Sequence, residues 1–268
     1  MTVARFRSRG HTLLELMIAA ALGLVVVAGA VSMYRSQRVA FVRATDALRI
    51  HDAGTTALAL IAAQVRMAGF VPADMAPADT SAGLFGCSGA RTVGSFESRS
   101  CETVSTHSDG IAVRYIGDTI STWPSSTGRP TDCLGQSVTT DAAGSDPQRI
   151  PIVNRFHART GSAGEPELYC DGSGRPGVAQ PLVEGVEGLR VRYWLKDAHT
   201  ALDASAIARD QWQQIVAVDL CVLVRGAPLG RRTRYVDCDG VSTLATDTRV
   251  RQAFWRRVAV RNQARRPS

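Results

Sequence analysis

Between Leu16 and Met33 the chain has a single polar side chain, Ser32, and this run stands close behind a basic leader carrying Arg5, Arg7 and Arg9. Eighteen such residues are about the shortest stretch that crosses a bilayer as a helix. The arginines precede the run and no comparable cluster follows at once, so the positive-inside rule places the N-terminus in the cytoplasm and the rest outside. Two ordinary segments have this form. One is an uncleaved signal anchor. The other is a secretory signal with its small-residue site at Ala28-Gly29-Ala30 and a soluble product starting near Val31. Glu15 fits neither, because a carboxylate at the edge of a span costs on the order of a kcal/mol or more. An acid there marks function, and it requires a partner.

The residues around that acid carry a resemblance. Gly10-His11-Thr12-Leu13-Leu14-Glu15-Leu16 resembles the class III signal of type IV prepilins: a Gly, a hydrophobic first mature residue, Thr, two aliphatic residues, then Glu. The resemblance implies that a prepilin peptidase cuts between Gly10 and His11 and methylates the new amino group on His11. It also implies that Glu15 pairs with the N-terminal ammonium of a neighbouring subunit, which gives a buried charge its counter-ion. The first mature residue in that family is usually Phe; here it is His11.

Beyond Met33 the chain turns polar and has no Pro until Pro72. Ala47, Ile50, Gly54, Leu58, Ile61, Val65 and Ala68 recur near the 3.6-residue period of an amphipathic helix, a stripe suited to core packing. A single helix from Thr12 to Ala68 would be roughly 85 Å long. Small residues at Ala19–Ala21, Gly23 and Ala28–Ala30 permit close helix approach. The expected organisation is a leader at 1–10, a transmembrane part at 11–33, an amphipathic continuation at 34–69 and a β-rich domain at 70–268.

In that last segment strands are expected at 110–116, 150–157, 167–170, 188–195, 214–224, 234–238 and 254–261. Val216, Val218, Leu220, Val222 and Val224 alternate as one apolar face, and Leu189, Val191, Tyr193 and Leu195 do the same against Arg190, Arg192 and Trp194. One long helix followed by antiparallel strands is an α+β plan, pilin-like in its order of elements. Gln64-Val65-Arg66-Met67-Ala68-Gly69-Phe70, Phe85-Gly86-Cys87, Asp132-Cys133-Leu134-Gly135, Asn154-Arg155-Phe156, Leu168-Tyr169-Cys170, the run Val183 to Leu189 and the closing Arg257 to Asn262 together resemble the PilW-like minor pilins. That resemblance implies a part in initiating type IV pilus assembly near the filament tip, with other minor pilins, the major pilin and the inner membrane as partners.

Six cysteines, none before residue 87 and none in a CxxC pair, read as disulfides of an oxidising compartment rather than metal ligands. Fifteen pairings exist; the preferred set joins neighbours, Cys87–Cys101, Cys133–Cys170 and Cys221–Cys238. Asp237-Cys238-Asp239-Gly240 has a fragment of a calcium loop but lacks the remaining acids, so it reads as an Asp-Gly turn. No phosphate-cradling Gly loop, GxSxG or HExxH occurs. Gly86-Cys87-Ser88-Gly89 is only superficially a nucleophile turn, and His11, His51, His107, His157 and His199 have no metal-site spacing. The expectation is therefore a non-enzyme without cofactor, metal or small-molecule substrate. Net charge is +7, of which the leader holds three; the excess is too small to argue nucleic-acid binding. The arginines at 249, 251, 256, 257, 261, 265 and 266 fit a solvated strand face better than a DNA site. The alternatives are a minor pseudopilin of a type II secretion system, and a tip-borne module that binds DNA or a surface.

Overall fold

The structure, a computed structural model, describes residues 12–72, 82–96, 98–118, 122–139 and 150–262. Helix α1 (Leu13–Met67) opens the chain. Two compact units are present, one up to Leu48 and one from Arg49 onward. In the first, apolar side chains from Leu13 to Leu48 stand exposed, Leu24 at 73% and Phe41 at 72%.

In the second unit, helix residues Ile50, Gly54, Ala57, Leu58, Ile61, Ala62 and Val65 are buried. Ala47, expected on this stripe, is exposed; the buried face starts at Ile50, the first residue with a core to meet. Gly69 ends the helix with φ +73, a left-handed conformation that Gly adopts without a Cβ clash. Its N–H donates to Arg114 O at 2.9 Å, and Ile116 N–H donates back to Phe70 O at 2.8 Å, so the helix runs out alongside a strand.

The strands follow in order: β1 (Leu84–Cys87), β2 (Ala90–Val93), β3 (Ser100–Thr103), β4 (Gly110–Gly117), β5 (Ile150–Thr160), β6 (Pro166–Gly172), β7 (Gln180–Glu184), β8 (Val186–Leu195), β9 (Leu202–Asp203), β10 (Ile215–Pro228), β11 (Arg234–Val236), β12 (Ser242–Leu244) and β13 (Arg249–Ala259). One antiparallel sheet has the order β1-β4-β5-β6-β7 and a second has β13-β10-β8-β9. β2-β3 and β11-β12 are separate hairpins. The chain passes from the first sheet to the second at Gly185, whose φ is +84; its N–H donates to Pro166 O on β6 and its carbonyl accepts from Arg225 N–H on β10. Both sheets and the helix stripe share one apolar cluster, with Leu84, Ile111, Ile152, Phe156 and Leu168 from the first sheet and Val191, Tyr193, Leu220 and Val222 from the second.

Each expected strand is present, and among the described residues there are six further ones, β1, β2, β3, β7, β9 and β12. Within β10 the valine face is interrupted. A register shift between Ile215 and Ala217 buries Ile215 to 1% and turns Val216 out to 38% exposure. A one-residue irregularity exchanges the two faces of a strand, and periodicity does not signal where one occurs.

β2-β3 lies near the first sheet, where Arg155 is buried and donates to Gly94 O at 2.7 Å. His157 on β5 is 3% exposed and stacks on Tyr169 with centroids 5.9 Å apart. Burial pushes its imidazole down to about 4, with Arg159 and Arg91 adding to that and Glu102 opposing it. The folded state therefore holds His157 neutral where the unfolded chain already takes up a proton. Its contribution is complete above pH 6.5 and falls through the window from 6.5 to about 4, by up to about 3 kcal/mol. Urea unfolding across this window should show the loss, and His157→Gln should remove most of that slope. Equal slopes in the two proteins would refute the assignment. Comparing the variant at each pH cancels the opposing effect of buried Asp109, whose carboxyl burial raises.

Candidate processing and assembly site

Of the signal residues, Gly10 and His11 lie outside the described residues. Thr12 and Glu15 are described and form a reciprocal pair. Glu15 N–H donates to Thr12 Oγ1 at 3.3 Å, while Glu15 Oε2 accepts from Thr12 N–H at 3.0 Å and from Thr12 Oγ1 at 3.2 Å. This is a capping box, which satisfies orphan donors at a helix N-terminus and sets a negative charge against the positive end of the helix dipole. The Thr-x-x-Glu spacing of the processing motif is also the spacing of a helix start, so one pair of residues serves both. The geometry ties Glu15 to the backbone of Thr12, the residue two places beyond Gly10.

Behind the cap, an 18-residue window of α1 has mean hydropathy 2.4 and none of it is buried within the chain. By length and composition this helix can cross a membrane. Gly23 and Gly29 have open space around the position of an added Cβ, so another helix could approach there.

All six cysteines are bonded, as Cys87–Cys101, Cys133–Cys170 and Cys221–Cys238. Cys87, in the nucleophile-like turn, is thus held as a cystine. The first bridge ties the end of β1 to β3, and the second ties the segment at 122–139 to β6. The third ties the β11-β12 turn to β10. In that turn Asp237 Oδ1 accepts from Asp239 N–H at 3.0 Å and Val241 N–H at 2.9 Å, and its Oδ2 accepts from Thr243 Oγ1 at 3.0 Å. Asp239 faces Arg192 at 2.8 Å and Arg190 at 3.3 Å. The carboxylates serve the turn and the ion pairs.

Most of the described C-terminal arginines are engaged. Arg249 meets Glu165 at 3.0 Å, and Arg251 meets Glu187 and Asp247 at 2.6 Å each. Arg257 grips Asp219 through two bonds of 2.6 and 2.8 Å and lies over the Trp194 ring at 4.4 Å. Asp203, Arg192, Asp219 and Arg257 stand in register across β9, β8, β10 and β13, so charge alternates along the row. Side-chain bonds from Arg257 hold the Asp219 carboxyl below the usual range despite some burial. Exposed pairs of this kind add little stability each, but they leave fewer cations for phosphate. Arg265 and Arg266 lie outside the described residues.

Comparison with known proteins adds two family matches. Residues 155–262 match PilW, the type IV pilus-assembly protein W, and residues 5–31 match the prokaryotic N-terminal methylation motif. No curated protein matches the chain. Among solved structures, a type IV-like pilin, TTHA1219 from Thermus thermophilus, is 13% identical, with a TM-score of 0.44 over 81% of this chain and 99% of that one. A pilus-assembly family match that follows a methylation-motif match supports reading the chain as a minor pilin of the type IV pilus.

Proposed function

We propose that the chain is cut after Gly10 by a prepilin peptidase, methylated at His11, and held in the inner membrane by residues 11–33 until it joins other minor pilins and the major pilin. The domain from residue 70 faces the periplasm and, after assembly, the exterior. The amphipathic stretch at 34–69 links it to the anchor. The role is structural, the priming or tip complex of the filament, and the only chemistry is done to the chain. One observation carries this: the methylation motif at 5–31 runs into the apolar start of α1, and none of that apolar window is buried within the described chain. In the mature protein Glu15 has two tasks. It caps the helix through Thr12, and it offers its charge to the ammonium of an adjoining subunit in the low-dielectric filament core.

The test is the intact mass and N-terminal sequence of the protein purified from membranes. The expected product starts at His11 and carries one added methyl. A start near Val31 would make this an ordinary secreted protein, and an intact Met1 a plain anchor; either overturns the reading.

A further inference from the structure

β13 is the outer strand of its sheet and is 11 residues long, whereas protected edges are commonly short, bent or covered. Its pairing with β10 is regular from Arg251 to Ala259. Val260 N–H donates to Val216 O, which fixes the phase: even-numbered residues turn their backbone groups toward β10, and odd-numbered ones turn theirs away. Among the described residues no acceptor is found for the N–H groups of Ala253, Trp255 and Arg257; Trp255 and Arg257 are exposed there, while Ala253 is buried. The strand contains no Pro to blunt this edge.

The side chains say what could lie there. Residues 249–259 hold four arginines and no acid. Arg256 is exposed and has no ion pair among the described residues, and Trp255 beside it is 55% exposed on the opposite face. A second copy paired along β13 would bring like charges together, which opposes self-association. An extended segment with carboxylates on one face and apolar groups on the other would meet Arg256 with charge and Trp255 with apolar surface while filling the backbone edge. We propose that the free edge of β13 receives such a segment, an acidic, alternating β-strand of a partner protein, by strand addition. The argument uses the edge and its charge alone, so it stands or falls independently of processing at Gly10.

The probe is a capped octapeptide of alternating Val and Glu, added in excess to the full chain in detergent, with amide hydrogen exchange as the readout. Exchange at Ala253, Trp255 and Arg257 should slow about tenfold or more, while the β10 amides stay unchanged. The same peptide with Lys for Glu, or with alternate amides N-methylated to remove one hydrogen-bonding edge, should give no protection. Arg256→Glu should exchange the preference from the Glu peptide to the Lys peptide. Trp255→Pro removes an edge N–H that β10 does not use and should abolish protection, whereas Trp255→Ala should retain part of it; Ala253→Pro repeats the test if the first proline disturbs β10. Absence of slowing at millimolar peptide, or protection that survives N-methylation or the edge prolines, overturns the proposal.

Discussion

Reducing all three disulfides should unfold the domain at ordinary temperature. On a chain-entropy account each bridge restricts the unfolded chain according to the loop it closes. The sequence separations are 14, 37 and 17 residues, which gives about 3, 4 and 3 kcal/mol in turn. Together these rival the whole stability of a typical domain, about 5–15 kcal/mol. The places they act have little else to hold them. β3 is exposed at every residue, and β11 and β12 are three residues each. Thermal unfolding followed by near-UV circular dichroism, with thiols counted by alkylation and mass, checks this. The pair Cys133→Ser and Cys170→Ser should lower Tm more than either other pair. An unchanged Tm with six thiols labelled would refute the assignment. Persistence of the bridges requires an oxidising compartment, which agrees with the periplasmic placement proposed above.

What could be read from the sequence follows the physics of each element. Ile50, Leu58, Ile61 and Val65 declare their helix face by period alone, because that face meets one continuous core. β8 and β10 declare themselves by alternation, being covered on one side. β1, β2 and β3 gave no such signal: four residues rich in Gly, Ser, Thr and Cys hold a strand conformation only because distant partners and a disulfide are in place. Val216 was misplaced because a bulge is a property of two strands together. Glu15 and Thr12 were singled out as a processing motif, and their mutual capping followed from the same spacing. The free edge of β13 was out of reach, since a strand's place in its sheet is topology, not composition.

Gly54→Ala should destabilise the protein, against the usual sign for such a change. Glycine in a helix interior is about 1 kcal/mol worse than alanine, so the substitution ordinarily stabilises. Gly54 lies mid-helix on the buried stripe, where an added Cβ would stand 2.3, 2.5 and 2.6 Å from Cδ2, Cε2 and Cγ of Phe254. Because Cγ is among them, rotating the ring about its own axis gives no relief; Phe254 must swing at its root. That motion breaks its edge-on contact with His51, at 5.8 Å between ring centroids, and pulls on the β13 side of the sheet. Overpacking of this kind costs about 1–3 kcal/mol and should exceed the helix-propensity gain. The double variant separates the two effects. With Phe254→Ala already in place, Gly54→Ala meets no ring and should stabilise by up to about 1 kcal/mol, a reversal of sign that marks direct coupling between the two positions. Urea unfolding of the four proteins with disulfides intact measures it. The same sign in both backgrounds would mean that the ring does not set the requirement for glycine. The reversal would mean that the helix stripe and β13 are fitted to each other at this single missing methyl group.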